Sequence, residues 1–183
     1  MNQAVDPGDT VIDATVGNGH DTVYLAKLVG PSGHVYGFDI QATAIENTRQ
    51  ALAAEQLSQQ TTLTQAGHET IAQVLPAEAA VKCAVFNLGY LPGGDKTVVT
   101  TAPTTLTAVE AVEQRLTPNG LVLLMVYTGH PGGQDEADAL WEHVQQLNQH
   151  EFQVLQYSFV NQIHQPPYLL AIQKRARHQQ PTN

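Results

Sequence analysis

The chain reads VIDATVGNGHDT from Val11 to Thr22. An apolar run ends in an acid, Asp13, and is followed by a Gly-x-Gly turn at Gly17 and Gly19 and then by a helix-like stretch. In an open α/β sheet, this order places a ligand at the carboxyl end of the strand. Glycines in the turn permit positive φ and let a ligand approach the backbone closely. The stretch therefore predicts an α/β sheet with a ligand site at the end of its first strand.

The same turn narrows the class of ligand. A dinucleotide-binding turn would carry a third glycine and would seat a pyrophosphate on the helix N-terminus. Thr22 occupies that third position, and Asp13 would repel a pyrophosphate. The spacing Asp-x-x-x-Gly-x-Gly instead suits a cationic nucleoside without phosphates. Taken alone, the motif is also compatible with an ordinary tight turn.

Short apolar runs alternate with longer helix-like stretches along the rest of the chain. The strand-like runs of the alternating part are residues 11–14, 34–38, 62–65, 81–86 and 121–127. The helix-like stretches are residues 21–29, 42–56, 69–75, 103–116 and 135–149. This alternation predicts βαβ units, and hence a mostly parallel sheet with helices on both faces.

The last part of the chain has a different pattern. Two strand-like runs, residues 152–160 and 168–174, are joined only by residues 161–167 and predict an antiparallel pair at one sheet edge. Residues 117–120 (TPNG) predict a turn before the fifth strand. With 183 residues and no linker, the sequence predicts a single domain over residues 1–183.

Composition excludes several classes of protein. With 42% apolar and 14% charged residues, the chain is not globally disordered. Its net charge of −9 argues against a protein that coats DNA without specificity. A single cysteine, Cys83, excludes disulfides and cysteine-rich zinc sites. No apolar run approaches the ~20 residues of a membrane span, and residues 1–10 lack the pattern of a signal peptide, so we expect a cytoplasmic protein.

Polar residues also follow the next two strands. Asp39 ends the second strand, where a carboxylate can accept both ribose hydroxyls of an adenosine. Alternatively, Asp39 caps the helix that starts near Gln41. His68 follows the third strand, where it could contact a bound nucleoside or simply start a helix.

The fourth strand leads into FNLGYLPGGDK, from Phe86 to Lys96. The side-chain oxygen of Asn87 can accept a hydrogen bond from an amine nucleophile, and Tyr90 can stack on a planar base. Asp95 lies at the rim of this segment with Lys96. The alternative is a glycine-rich connection in which Asn87 satisfies its own backbone.

These motifs together resemble class I S-adenosylmethionine-dependent methyltransferases. The glycine turn matches their first motif, and Asp39 matches their ribose-binding acid. Residues 87–90 (NLGY) resemble an Asn-Pro-Pro-Tyr motif that marks methylation of an amino nitrogen on a nucleobase. Leu88 and Gly89 replace both prolines of that motif.

A more specific resemblance, to the rRNA methylase family, covers nearly the whole chain. Four segments carry it: residues 13–22, 86–95, 127–133 and 166–169. Members of this family are similar to the tRNA 5-aminomethyl-2-thiouridine methyltransferase, which completes a wobble-uridine modification. They carry a short segment before the first strand, so we expect this chain to lack part of the N-terminus or of the substrate side.

The resemblance implies a Rossmann-like class I methyltransferase fold with a seven-stranded sheet and S-adenosylmethionine as cofactor. The residues that it implies for cofactor binding are Asp13, Thr15, Gly17, Asn18, Gly19, Asp21, Thr22, Asp39, Ile40, Gln41, His68, Asn87 and Leu88.

We expect the reaction centre to combine four residues. Asn87 would orient the acceptor amine, Tyr90 would stack on the flipped uracil, and His130 or Asp95 would receive the proton. His130 follows the fifth strand, where an imidazole suits proton handling. Alternatively, it is a loop histidine held by a glycine turn.

The expected partner is tRNA, through its anticodon stem-loop. Residues 174–177 (KRAR) are the only basic cluster; they could contact RNA phosphates or be merely solvated. A homodimer that joins two such patches could offset the acidic net charge. Residues 161–167 could border the substrate cleft, and the histidine spacing gives no reason to expect a metal. The alternatives are methylation of rRNA or of a small amine, and a nucleoside-binding module without catalysis, which would not need residues 87–90.

Overall fold

A computed structural model describes residues 1, 3–91, 93–95, 97–163 and 166–176. The strands are β1 (Thr10–Asp13), β2 (His34–Phe38), β3 (Thr61–Thr64), β4 (Val81–Leu88), β5 (Leu116–Val126), β6 (Phe152–Tyr157) and β7 (Tyr168–Lys174). The α-helices are α1 (His20–Val29), α2 (Ala42–Ala54), α3 (Ile71–Val74), α4 (Ala102–Arg115) and α5 (Gly133–Gln146). Short 3-10 helices precede β3, at Ser58–Gln60, and α3, at His68–Thr70.

The strands form one seven-stranded sheet in the order β3-β2-β1-β4-β5-β7-β6. Strands β1 to β5 pair in parallel, whereas β7 is antiparallel to both β5 and β6. The predicted mostly parallel sheet with an antiparallel pair at one edge is therefore confirmed, and so is the class I methyltransferase topology.

Two apolar cores lie on the two faces of the sheet. On β1, Ile12 packs into the core that includes α3, α4 and α5, whereas Val11 packs into the core that includes α1 and α2. Successive residues of a strand point to opposite faces, so the central strands must be apolar at nearly every position. In β4, Phe86 and Cys83 meet this requirement, since both are fully buried on opposite faces.

Some predicted boundaries are wrong. Residues 117–120 lie within β5 rather than before it, because the strand pairs with β4 on both sides of an irregularity: Val81 faces Leu116 and Cys83 faces Leu121. At this irregularity, the backbone of Asn119 adopts the left-handed conformation, with a φ of 61°. The strand predicted to reach residue 160 ends at residue 157, because its partner β7 begins only at residue 168.

The topology brings three loops together. The chain moves from β1 outward to β2 and then returns to β4 on the other side of β1, so the loops after β1, β2 and β4 meet above the carboxyl ends of these strands. Ligands of open α/β sheets bind at this kind of switch point. In the described part of the chain, no helix is both long and apolar enough to cross a membrane.

Candidate functional site

The turn after β1 depends on glycine at two positions. Gly17 and Gly19 have φ values of 53° and 80°, in the left-handed region that disfavours other residues. A Cβ at Gly19 would also lie 2.6 Å from Oγ1 of Thr48 on α2. Helix α2 therefore packs closely against this turn and leaves no room for a side chain at position 19.

Beneath the turn, Asp13 is fully buried. Its Oδ2 accepts a 2.6 Å hydrogen bond from the hydroxyl of Thr22, and its Oδ1 accepts one of 3.2 Å from the N–H of Thr15. Burial raises the pKa of Asp13 to about 7, and the nearby carboxylates of Asp21 and Asp39 add to the increase. Asp13, which the sequence predicts to contact a cofactor, thus stabilises the turn through its hydrogen bonds to Thr15 and Thr22.

Asp39 joins the turn to α2. Its Oδ2 accepts the N–H of Gly17, and its Oδ1 accepts the N–H of Gln41, each at 2.9 Å. The carboxylate is only partly buried and lines a cavity with its neighbours Ile40 and Gln41. Asp39 therefore supports the start of α2 and also presents a carboxylate to the cavity.

Asn87 lies at the end of β4 and is fixed from two sides. Its backbone N–H donates to Oγ1 of Thr15 at 2.7 Å, and its side-chain Nδ2 donates to the carboxylate of Asp21 at 2.9 Å. The side-chain oxygen is then the atom of Asn87 that can accept a hydrogen bond from a ligand. The alternative that Asn87 satisfies its own backbone does not hold.

Two cavities of about 260 and 650 Å³ open at this edge of the sheet. The first extends toward Asp39 and His68. The second extends toward α1 and the loop after β5, where it meets His130. The residues that line both cavities are Thr15, Gly17, Asn87, Gly89 and Tyr90. The end of β4 is therefore the wall between two adjoining spaces.

His130 is buried beside the second cavity. Its Nδ1 lies 3.1 Å from the carbonyl of Pro131, which can only accept, so Nδ1 carries the proton. Its Nε2 is buried without a hydrogen-bond partner in the part of the chain that the structure describes. The ring contacts that of Tyr90 edge-on, with 6.4 Å between centroids. With Nδ1 donating to Pro131, Nε2 is the ring nitrogen left to accept a hydrogen bond.

His68 lines the first cavity from within the fold. Its Nδ1 lies 3.2 Å from the carbonyl of Ala14, and its Nε2 lies 3.3 Å from Oγ1 of Thr105. Burial lowers the pKa of His68, which favours the neutral ring at neutral pH. His68 thus lines the first cavity and also begins the 3-10 helix His68–Thr70.

The other predicted cofactor residues divide into two groups. Asn18, Asp21 and Leu88 line the second cavity. Among the described residues, neither cavity wall includes Asp13, Gly19 or Thr22, which lie beneath or beside the turn. The sequence motif therefore combines residues that face ligand space with residues that support them.

Asp95 is not brought to the reaction centre. Its carboxylate is exposed and accepts the N–H and the hydroxyl of Thr97, and these bonds hold its pKa below the usual range. Among the described residues, it is absent from both cavity walls. Lys96, predicted to share the rim with Asp95, lies outside the described residues.

The basic cluster lies far from this edge. Strand β7 runs antiparallel to β5, so Tyr168 pairs with Val126 near the cavities, whereas Lys174 lies at the opposite end of the sheet. Arg175 donates to the carbonyl of Gln149 there. Arg177 and, in the loop before β7, His164 and Gln165 lie outside the described residues.

Sequence analysis missed a buried polar group behind the first cavity. Glu136 of α5 is 1% exposed, and its carboxylate accepts hydrogen bonds from the hydroxyls of Thr100 and Thr105. The available signal was an acid on the apolar stripe that α5 forms with Ala137 and Leu140. No group of three or more metal-ligating side chains occurs among the described residues.

The donor set of the site fits a cationic nucleoside. The carboxylates of Asp21 and Asp39 each line a cavity beside the glycine turn, and the acid Asp13 lies beneath it. A positive sulfonium is favoured there, whereas a phosphate is not. Asp39 stands at the strand end where a ribose diol is bound in such sheets. The residues present therefore fit S-adenosylmethionine.

Comparison with known proteins identifies the family. The family model described as "Putative rRNA methylase" matches residues 35–173. A chloroplastic tRNA (mnm5s2U34)-methyltransferase of Arabidopsis thaliana is 44% identical over 146 residues. That match covers 75% of this chain but 53% of the relative, so the chain spans about half the length of this curated relative.

Solved structures of similar proteins support the same family. A crystal structure of a "putative rRNA-methylase" from Clostridium thermocellum is 39% identical, with a TM-score of 0.91, and the match covers 94% of this chain and 92% of that one. A "putative methyltransferase" of Streptococcus mutans, solved in complex with SAH (S-adenosylhomocysteine), is also 39% identical, with a TM-score of 0.86 and the same coverage. The chain therefore belongs to the rRNA methylase family of S-adenosylmethionine-dependent methyltransferases.

Proposed function

We propose that this chain transfers a methyl group from S-adenosylmethionine to RNA, and specifically to the amine of 5-aminomethyl-2-thiouridine at the wobble position of tRNA. The observation that carries the proposal is the position of Asn87 in the wall between two cavities. A donor in the first cavity and an acceptor in the second would meet at this residue. The name of the Arabidopsis relative supports the choice of nucleotide.

The first cavity would hold the nucleoside part of the cofactor. Asp39 would accept the ribose hydroxyls, while Ile40, Gln41 and His68 would surround the base. Gly17 would let the backbone approach closely, and Asp13, Gly19 and Thr22 would support the turn from outside the cavities. The cofactor supplies an already activated methyl group, so the chain mainly provides proximity and alignment.

The second cavity would hold the acceptor. The side-chain oxygen of Asn87 would accept an N–H of the neutral amine and direct its lone pair toward the methyl donor. Tyr90, which is 41% exposed, would stack on the flipped base. As the new N–C bond forms, the methyl–sulfur bond of the donor would break to leave S-adenosylhomocysteine. The nitrogen must also lose a proton, which Nε2 of His130 would accept directly or through water. We prefer His130 to Asp95, because only His130 lines the cavity among the described residues.

The expected RNA partner is the anticodon stem-loop, whose unpaired wobble base can be extruded at lower cost than a base in a duplex. Lys174 and Arg175 are too far from the cavities to hold the same few nucleotides. The flanking phosphates would have to be bound elsewhere. We also propose a cytoplasmic location.

We further propose a homodimer. Large apolar side chains are exposed on and after β6, including Leu155, Tyr157, Phe159, Val160 and Ile163. Such a cluster marks an association surface in soluble proteins. Light scattering should therefore give a dimer for the wild type and a monomer for Leu155→Lys. A monomeric wild type would contradict the proposal.

A methylation assay tests the activity. The protein is incubated with labelled S-adenosylmethionine and tRNA from cells that lack the last wobble methylation, and the nucleosides are separated by mass spectrometry. The expected product is the 5-methylaminomethyl nucleoside. Asn87→Ala should abolish it while S-adenosylhomocysteine still binds by calorimetry. Asn47→Ala, at an exposed position on α2, is the matched control.

Other outcomes distinguish the alternatives. If the protein binds the cofactor but does not methylate this tRNA, the substrate is instead rRNA or a small amine. Cofactor binding without methylation of any of these acceptors would favour a nucleoside-binding module. Full turnover by Asn87→Ala would show that the reaction centre is assigned wrongly.

A further inference from the structure

Glu136 is a buried acid that the proposed mechanism does not use. It lies in the first turn of α5, where the helix N-terminus favours a negative charge. Its Oε2 accepts the hydroxyl of Thr100 at 2.7 Å, and its Oε1 accepts the hydroxyl of Thr105 at 2.5 Å. Among the described residues, it lies in neither cavity wall, so its side-chain hydrogen bonds reach the site through these two threonines.

Thr100 connects Glu136 to the segment that follows Asn87. Oγ1 of Thr100 accepts the N–H of Gly89 at 2.8 Å, and the carbonyl of Gly89 accepts the N–H of Thr100 at 2.9 Å. A hydroxyl has one hydrogen. Because Thr100 directs that hydrogen to Glu136, its oxygen is left to accept from Gly89. The carboxylate therefore orients the hydroxyl that closes the base of the loop.

Residues 89–91 and 97–101, here called the acceptor loop, carry Tyr90. Gly89 and Tyr90 line both cavities, whereas Leu91 and residues 98–101 line only the first. Tyr90 pairs with Val99 in an isolated antiparallel bridge, one residue beyond the Gly89–Thr100 pair. Gly89 and Tyr90 both line the wall between the cavities. A change in the Gly89–Thr100 pair would therefore move Tyr90 and the exit of β4 together.

Thr105 connects Glu136 to the cofactor side. In the neutral ring of His68, Nδ1 donates to the carbonyl of Ala14, so Nε2 is an acceptor; because Thr105 directs its one hydrogen to Glu136, its 3.3 Å contact with Nε2 carries no hydrogen. A glutamine at position 136 could satisfy the same contacts differently: its amide would donate to Thr105, which would then donate to a neutral His68. Glutamine is therefore a conservative replacement at this position, and alanine is not.

We propose that Glu136 is a positioning residue that holds the acceptor loop, and through it Tyr90 and Asn87, in register with the cofactor side of the site. The activity readout of this inference rests on the proposed function. Its structural readout does not.

The chain offers a matched control. Glu113 of α4 is also buried, at 7% exposed, and pairs with Nε2 of His143 on α5 at 3.0 Å. Like Glu136, it joins α4 to α5, but among the described residues it lines neither cavity. Loss of a buried acid between these helices can thus be separated from loss of loop positioning.

The experiment compares amide hydrogen exchange and turnover in Glu136→Ala, Glu136→Gln and Glu113→Ala. In Glu136→Ala, exchange at the amides of Gly89 and Thr100 should rise by about tenfold or more, and kcat should fall by a similar factor, as expected for a lost buried hydrogen bond. Glu136→Gln should restore exchange and kcat to within about threefold of wild type, and Glu113→Ala should leave both unchanged even where it lowers the Tm.

Thr100→Val keeps the acid and removes only the hydroxyl, so it serves where Glu136→Ala does not fold. It should loosen the same two amides and lower kcat. Normal exchange and full turnover in Thr100→Val would overturn the inference, as would equal loosening of the loop in Glu113→Ala. If the wild type methylates no tRNA, the proposed function fails, while hydrogen exchange still decides the role of Glu136.

Discussion

The side-chain amide of Asn87 donates a 2.9 Å hydrogen bond to the carboxylate of Asp21, a residue 66 positions earlier in the chain. A carboxylate can only accept, so the amide nitrogen of Asn87 must face it. The two ends of the amide are therefore distinguished, and the oxygen is the end left for a ligand. The first turn of α1 thus sets the polarity of the proposed reaction centre at the end of β4.

Asn87→Asp should inactivate the enzyme although it nearly conserves shape. Two carboxylates would face each other at the Asp21 contact, and the new side chain would rotate away or take up a proton. We expect kcat to fall by more than about 100-fold, equivalent to about 2.7 kcal/mol of barrier. The double variant Asp21→Asn/Asn87→Asp should recover much of this loss in a methylation assay. Equal activities of the single and double variants would refute this pairing.

Gly133→Ala should displace His130. A Cβ at Gly133 would lie 2.8 Å from Nε2 of His130, the atom proposed to accept the proton. The ring NMR signals of His130 should shift, and kcat should fall by about tenfold or more. Gly129→Ala is the steric control, because its added methyl group meets no atom within 4 Å and should leave the ring signals in place. Unchanged His130 signals in Gly133→Ala would contradict the geometry.

Asp13→Asn should change how stability depends on pH. The folded-state pKa of Asp13 is raised by burial from the ordinary 3.8 to about 7, so between these values the folded protein holds a proton that the unfolded chain has lost. The contribution of Asp13 to stability therefore falls as pH rises from about 4 to about 7, by at most about 1.4 kcal/mol per pH unit, and is constant above that range. The Asp13→Asn variant should not show this fall in stability, because asparagine does not ionise.

Urea unfolding of both proteins at several pH values measures the effect. The free energy of unfolding of Asp13→Asn, relative to wild type, should increase from pH 4 to pH 7. A difference that does not vary with pH would show that Asp13 ionises normally in the folded protein.

Cys83 should be unreactive in the native state. The thiol is fully buried in β4, and burial raises its pKa to about 11, so neither access nor thiolate is available. A thiol reagent should react at least about 1,000-fold more slowly than with the unfolded chain, through global opening only. Since this is the only cysteine of the sequence, the rate measures opening of the sheet centre directly. Rapid labelling without denaturant would contradict the burial.

The sequence predicted those parts of the site that local patterns encode. The glycine turn and Asp39 are set by residues within a strand end and the following turn, so their places could be inferred from order and spacing. The contact between Asn87 and Asp21 could not, because it depends on how α1 packs beside β4. The same holds for Glu136, whose partners lie 36 and 31 residues earlier on separate segments.

The differences in the fold have a similar origin. Residues 117–120 have the composition of a turn, and only pairing of β4 on both sides of Asn119 makes them part of β5. Asp95 follows a promising motif, but Thr97 satisfies its carboxylate within the same loop. The first difference depends on pairing between strands that are distant in sequence, whereas the second depends on a side-chain contact two residues away in the same loop.

The position of β7 has a consequence for biosynthesis. This strand follows β6 in the chain but lies between β5 and β6 in the sheet. On the ribosome, β5 therefore keeps an open edge until the chain has been made as far as Lys174, and an open strand edge is a template for pairing with other chains. We expect the nascent chain to be exposed to misassembly in this interval, when the five parallel strands have already been made.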